Sequence, residues 1–382
     1  MKSSAAALLL LLVVSHDPAR PRLVFRTVSA GASHTCGIAS GGVAYCWGDN
    51  TAGELGTGDG LSHTRPAAVT GHLTFASLSA GDGFTCGVTH SGVAYCWGRN
   101  PYGQLGSRTP QRSETPLPVA AAGLVFLQVS AGRGHACGIG ADHAAYCWGS
   151  NEDGQLGTGD TARSSRPLPV AGRLSFDSLS AGWSHTCGVT PEGTAYCWGS
   201  NAAGQLGNGT RNASRLPVAV VHIHEFVSLS AGARHTCGLT ARGLVYCWGD
   251  DFSHQLGQGS GVGSWVPLET GAGRRLVSVT AGGFHTCALT RESMYRLTCW
   301  GSNQESQLGV NDALPARTVT SRQIFGGIPF VQIDAGDAHT CGVTEDGAVY
   351  CWGRNDDGEL GDGSLHLPVR PVRVAEPDSM SE

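Results

Sequence analysis

A Cys-Trp-Gly tripeptide recurs seven times at intervals of 50 to 52 residues, with its tryptophans at Trp47, Trp97, Trp148, Trp198, Trp248, Trp300 and Trp352. A fixed period of that length calls for one supersecondary unit per copy, stacked so that neighbours cover each other's apolar faces. A second cysteine precedes each tryptophan, so the chain's 14 cysteines divide into two per copy with none left over. The copies run from about Val24 to Val374 without a break in composition, which makes 24–374 one repeated domain although 382 residues would ordinarily suggest two or three. The 57 glycines fall at repeated positions and mark turns.

Each copy reads as four short antiparallel strands. In the first, alternating Val, Thr, Tyr and Trp broken by Gly, Asn and Pro predict strands at Phe25–Ser29, His34–Ala39, Val43–Trp47 and Ala67–Thr70. The middle two form a hairpin around Ser40-Gly41-Gly42, which sets Cys36 opposite Cys46 and Ile38 opposite Ala44. Because side chains alternate faces, His34, Cys36, Ile38, Ala44 and Cys46 share one face, and Val43, Tyr45 and Trp47 the other. A sheet apolar on both faces must be covered on both, and radial stacking of blades does so. The fold class is therefore all-β, a seven-bladed propeller with the tryptophans filling the space between blades. Asn50 and its equivalents (Asn100, Asn151, Asn201, Asp251, Asn303, Asn355) read as turn residues. Calcium binding at the nearby Asp59, Asp160 and Asp362 is the alternative.

The hairpin register pairs each cysteine with its cross-strand neighbour: Cys36–Cys46, Cys86–Cys96, Cys137–Cys147, Cys187–Cys197, Cys237–Cys247, Cys287–Cys299 and Cys341–Cys351. Even count and regular local spacing favour oxidation. A Cys₂His metal site from His34, Cys36 and Cys46 is the competing reading, but structural zinc wants four ligands in a tetrahedron, and His34 and Cys36 are a full strand repeat apart. Reduced buried thiols are the third possibility. The histidine recurs at His34, His135, His185, His235, His285 and His339, and Phe84 replaces it once; a repeated structural hydrogen bond accounts for that pattern.

Residues 1–15 carry Lys2, an apolar run from Ala5 to Val14 and small residues at Val13-Val14-Ser15, the pattern of a secretory signal; ten apolar residues are too few to span a bilayer. Residues 16–23 read as a linker and 375–382 as a disordered acidic tail. Lys2 is the only lysine, so phosphate-loop and Schiff-base chemistry lack their essential residue. Twenty-four arginines against thirty acidic residues leave −6 after cleavage, with no basic run, which argues against nucleic acid or an anionic membrane as partner. No Gly-x-Ser-x-Gly or His-Glu-x-x-His occurs, His222-Ile-His224-Glu225 lacks a further ligand at helical spacing, and Gly257-x-Gly259 precedes no helix. The reading is a non-enzyme with no catalytic, cofactor or metal residues.

The motif Ser-Ala-Gly-x-x-His-Thr-Cys, followed by Tyr-Cys-Trp-Gly-x-Asn-x-x-Gly-Gln-Leu-Gly, resembles the regulator of chromosome condensation repeat family over about nine-tenths of the chain. The resemblance implies a seven-bladed propeller closed by strands from both chain ends, here Leu365–Val374 and Val24–Ser29. It also implies a guanine-nucleotide exchange or GTPase-binding role, after the family's founding member. The export pattern, the paired cysteines and the absence of basic tails depart from that member. Light sensing in the family uses clustered Gly-Trp-Arg-His-Thr motifs, to which only Gly182-Trp-Ser-His-Thr186 is similar. Secreted propellers of this class that block an enzyme by binding across one face make an extracellular binding role credible.

In a strict repeat the variable positions carry the individuality. Two residues lie between Ala-Gly and His-Thr-Cys in every copy, in loops expected on one face of the ring. There Asp82, Arg133, Trp183, Arg234, Phe284 and Asp337 form a mixed aromatic, arginine and aspartate surface, the composition of a binding hot spot. The reading is thus an exported, monomeric, non-enzymatic propeller (secreted, periplasmic or cell-surface) that binds an unidentified protein partner through this face. The alternatives are the GTPase-binding role and a carbohydrate-binding or structural cell-surface module. Irregularities sit in the fifth and sixth copies: an insertion around Glu292-Ser-Met-Tyr295, His254 and Ser306 in place of turn glycines, and the additional Trp265. Asn208-Gly-Thr and Asn212-Ala-Ser match glycosylation acceptors.

Overall fold

The computed structural model describes residues 22–378 except 122, 222, 224, 272–274, 291–296, 311–316 and 324–326, and only the backbone of 317–323. The N-terminal apolar run, most of the proposed linker, the end of the acidic tail, the Glu292–Tyr295 insertion and the histidines at 222 and 224 lie outside the described residues. No helix among the described residues is long and apolar enough to cross a membrane.

Seven four-stranded antiparallel sheets follow one another along the chain. In the first blade they are β1 (Phe25–Ala30), β2 (His34–Ala39), β3 (Ala44–Gly48) and β4 (His63–Ala68), from the centre outward. The hairpin register is the expected one: Cys36 faces Cys46 and Ile38 faces Ala44. The outer strand is not where the sequence places it. It begins at His63, paired with Gly48, and ends at Ala68, because the Thr70 amide turns to the Gly56 carbonyl. Pro66 is tolerated because this is an edge strand, where a missing N–H breaks no ladder on its open side.

All seven cysteine pairs are disulfides, with Cα–Cα distances of 4.0 to 4.1 Å. Bonded to each other, these sulfurs are not thiolate ligands. The face bearing Cys36, Ile38, Ala44 and Cys46 packs on Phe75 and Trp97 of the next blade, and this arrangement repeats around the ring. The seven repeat tryptophans are all buried between blades. Asn50 closes its turn as a hydrogen-bonding residue, accepting from the Leu55 amide and donating to the Leu61 carbonyl. Asp59 and Asp362 accept from nearby amides and hydroxyls in the same kind of loop. His254 and Ser306 keep the left-handed backbone of the glycines they replace, at φ 63° and 57°.

Polar chemistry at the blade seams explains the recurrent histidine. Each His Nε2 lies 2.7–3.0 Å from a Thr Oγ1 of the next blade: His34–Thr85, His135–Thr186, His185–Thr236, His235–Thr286, His285–Thr340 and His339–Thr35. The threonine hydroxyl has one proton, and it goes to the backbone carbonyl of the Gln or Glu that precedes Leu-Gly in the turn of the adjoining blade. The histidine must therefore donate from Nε2, which leaves Nδ1 bare and without a partner in all six. Burial favours the neutral ring and pushes the six imidazoles down to about 3 or 4. Gly31 and its equivalents are obligatory here, since a Cβ at Gly31 would lie 2.7 Å from the His34 ring and 2.6 Å from the Gly81 carbonyl of the next blade.

The one exception obeys the same logic. Phe84 replaces the histidine of the second blade, and its partner position in the third blade is Ala136 rather than threonine, both wholly buried in one apolar cluster. Removing both members leaves no orphaned group, whereas removing one would. Phe84→His alone is therefore expected to destabilise the protein by about 1–3 kcal/mol. Adding Ala136→Thr should recover much of that, because the Gln104 carbonyl already accepts from Trp148, as the equivalent carbonyl does in five of the other six seams. A urea-denaturation double-mutant cycle showing no coupling would refute the pairing.

Closure of the ring differs from the expectation. The last blade is built only from Phe330–Ala335, His339–Thr344, Val349–Gly353 and Val372–Arg373, so no sheet mixes the two chain ends. The reason is that the first copy begins with its own inner strand and the last supplies its own outer one. Side chains join the seam instead. Gln332 accepts from the Val28 amide and donates to its carbonyl, at 2.9 and 2.8 Å. Asp334 accepts from the Ala30 amide at 2.9 Å, where the other seams use a Ser or Thr hydroxyl. Phe25, Val28 and Trp47 complete the junction by packing on the Cys341–Cys351 face, with Val372 and Val374 beside them.

Candidate partner-binding face

The Ala-Gly-x-x-His loops join the first and second strands of every blade, and their first variable residue lines the mouth of the central channel. The amides there bond to the next blade's glycine carbonyl, as from Asp82 to Gly132 and from Asp337 to Gly31, both at 3.1 Å, which fixes the loops as a rigid rim. Ala32, Asp82, Arg133, Trp183, Ala233, Gly283 and Asp337 are the residues this belt presents.

Four of the six sequence-selected residues line the mouth: Asp82, Arg133, Trp183 and Asp337. Arg133 Nε donates to Asp82 Oδ2 at 3.2 Å, and its guanidinium stacks 4.8 Å from the Trp183 ring. Trp183, half-buried, meets Phe284 edge-on at 5.7 Å, reaching past blade 5, whose loop offers only Ala233 at that level. Phe284 thus joins the cluster from the second variable position. Arg234 does not: it stands exposed outside the channel lining. Asp337 rests against Gly283, where any side chain would collide with its carboxyl. Its buried Oδ1 has no hydrogen-bond partner, and burial, reinforced by the Asp82 charge, pushes its carboxyl up to about 6.

Beside Trp183 the face opens into a polar groove of about 270 Å³ that reaches outward along the third blade and includes Arg99, Tyr102, Glu152 and Asp153. On the other side, blades 7 and 1 form an acidic sector. Glu54 and Glu359 occupy the position held by Gln104, Gln155, Gln205, Gln255 and Gln307 elsewhere. Burial and the neighbouring Asp49 push Glu54 up to about 8. Glu359 Oε1 has Arg354 Nε at 3.5 Å without an aligned hydrogen bond, and Arg354 also engages Asp356 and Asp357. The sequence carried a signal for this sector, Gly-Glu-Leu-Gly in the first and last copies against Gln-Leu-Gly in the rest.

The Regulator of chromosome condensation (RCC1) repeat profile matches residues 25–54, 75–104, 126–155, 176–205, 226–255, 276–307 and 330–359, one match per blade. A second profile of the same description matches six stretches from 41–88 to 346–381. The ultraviolet-B receptor UVR8 of Arabidopsis thaliana is 33% identical over 156 residues, which is 40% of this chain and 35% of that receptor. The chain thus spans about a third of that relative's length. The human WBSCR16 structure superposes with a TM-score of 0.79 at 22% identity, covering 88% of this chain and 94% of that one. Prp20p of Saccharomyces cerevisiae, described with its binding properties to Gsp1p and histones, gives 0.78 at 20% identity, covering 93% and 88%. Both structural likenesses speak to the fold. With a repeat match in every blade, the chain belongs to the regulator of chromosome condensation repeat family.

Proposed function

We propose that this chain is an exported, non-enzymatic propeller that binds a protein partner through the channel-mouth face. The observation that carries the reading is the Asp82–Arg133–Trp183–Phe284 arc, in which a tryptophan and an arginine are held in fixed positions by each other and by a rim of backbone hydrogen bonds. Preorganised aromatic and arginine side chains at the centre of a face are the usual anchors of protein interfaces. The seven disulfides support folding in an oxidising compartment, hence a secreted, periplasmic or cell-surface protein and an extracellular partner.

Affinity capture from the extracellular fraction of the native host, with wild type and Trp183→Ala side by side, tests this reading. The specific partner should bind the variant at least about thirtyfold more weakly, the scale of a hot-spot loss. Equal capture by both proteins would move the interface off this face. The polar groove beside Trp183 and Tyr102 favours a carbohydrate ligand as a second reading. A glycan array showing specific binding that Trp183→Ala abolishes would select it over a protein partner.

A further inference from the structure

The arc over the channel mouth is incomplete in one place. Asp82 belongs to blade 2, Arg133 to blade 3 and Trp183 to blade 4. Trp183 then spans blade 5 to reach Phe284 of blade 6, and Asp337 follows on blade 7, against Gly283. Blade 1 contributes only Ala32 at this level. The gap over Ala32 is therefore flanked by two carboxyls, Asp337 on one side and Asp82 on the other, close enough that the charge of Asp82 acts on Asp337. Their resources differ. Asp82 is already paired with Arg133, whereas the Asp337 carboxyl, held against Gly283, makes no ion pair among the described residues and feels Arg354 and Arg133 as more distant cations.

Two further features point the same way. The channel beneath the gap is walled by the Ala-Gly pairs of all seven blades, and Arg133, the cation among its lining residues, is already engaged by Asp82. The outer loops that flank blade 1 carry Asp49 on one side and Asp356 and Asp357 on the other, with Arg354 offsetting part of their charge; Glu54, raised to about 8, adds little charge at neutral pH. An approaching loop of positive charge is drawn to this sector, and an acidic one is repelled.

We propose that the partner inserts an arginine or lysine side chain at the gap over Ala32, its cationic end bound by Asp337 and, second, by Asp82. The proposal rests on the channel-mouth reading above and specifies the chemistry of the partner. The residue sits beside the Trp183 anchor, so a single loop delivers both an apolar contact to the aromatic arc and a cation to the carboxyls. Asp337 is the discriminating group, since its carboxyl makes no ion pair among the described residues, whereas Asp82 is engaged by Arg133.

The test is a selection from a display library of disulfide-cyclised nonapeptides, seven positions randomised, against the oxidised full chain at physiological salt. Wild type should enrich peptides with one invariant Arg or Lys, and Asp337→Asn should weaken those peptides at least tenfold and remove the basic preference from a fresh selection. Asp356→Asn, an exposed acid of the same sector, should change their affinity less than threefold, which separates seating from general attraction. Binders that depend on Trp183 but show no basic residue and no response to Asp337→Asn would overturn this inference and leave the channel-mouth face standing. Binders indifferent to both Trp183→Ala and Asp337→Asn, or no binders at all, would overturn both.

Discussion

Between pH 6.5 and 4 the protein is expected to lose its fold steeply, and the six seam histidines are the reason. Their folded values lie at about 3 or 4 because burial disfavours the imidazolium. A group with a depressed folded value contributes stability that is full above its unfolded value, near 6.5, and is lost as pH falls toward the folded one. At pH 5 unfolding would thus take up about six protons from this source. Six carboxyls act in the opposite sense, among them Asp251, Asp357 and Glu359, which burial holds above the usual carboxylate range. Asp334 and Asp337, raised to about 6, and Glu54, raised to about 8, hold protons at pH 5 that their unfolded counterparts have mostly released. The net uptake is then at most about three protons, or at most about 4 kcal/mol per pH unit, enough to exhaust an ordinary stability within about three units. Above about pH 7.5 the histidines no longer differ between the two states while Glu54 still does, so stability should decline gently up to about pH 8, and the maximum should lie near pH 7. Urea midpoints measured from pH 4 to 8 check this; a midpoint unchanged between pH 7 and 5 would refute it. A sharper form of the experiment moves the natural exception to another seam. His185→Phe with Thr236→Ala should lower the proton uptake by about one while leaving stability at pH 7 nearly intact.

Reduction should be equally severe. Each disulfide closes a loop of 10 residues, 12 in the sixth blade, and the chain-entropy argument assigns such a loop about 3 kcal/mol. Seven of them together exceed the whole stability of an ordinary domain, so the fully reduced chain is expected not to refold. Every cysteine is inaccessible to solvent, so dithiothreitol should act slowly on the folded protein and rapidly once urea opens the blades. Removing one bridge by Cys187→Ala with Cys197→Ala should cost about 3 kcal/mol, and a second removal two blades away should add independently. Refolding of the reduced chain to a cooperative, protease-resistant state would show that seam packing suffices without the bridges.

Much of this architecture was legible in one dimension because it is local. The facing of Cys36 and Cys46 follows from counting outward from Ser40-Gly41-Gly42, and the burial of Trp47 from two-residue alternation. The same reasoning found most of the channel-mouth cluster, since equivalent positions in a ring fall together whatever their sequence separation. It failed where an edge was involved. The outer strand has one partner and Pro66 within it, so its ends are set by the Gly48–His63 pairing and by the Thr70 turn rather than by its own pattern. It also passed over Ala136, because an alanine in place of threonine is informative only beside Phe84, 52 positions earlier and on the neighbouring blade.

By itself the sequence determined the number of blades, the strand register within each hairpin, the disulfide pairs and the two-faced burial, all consequences of contacts made within a dozen residues along the chain. Tertiary structure alone decided how the ring closes, which seam partner each histidine serves and where the carboxyls stand unopposed. Those outcomes depend on contacts between different copies, such as those across the 304 residues that separate Val28 from Gln332 and Ala30 from Asp334. A periodic pattern encodes what each blade buries, but it is the curvature of seven packed blades that brings the first and last of them together.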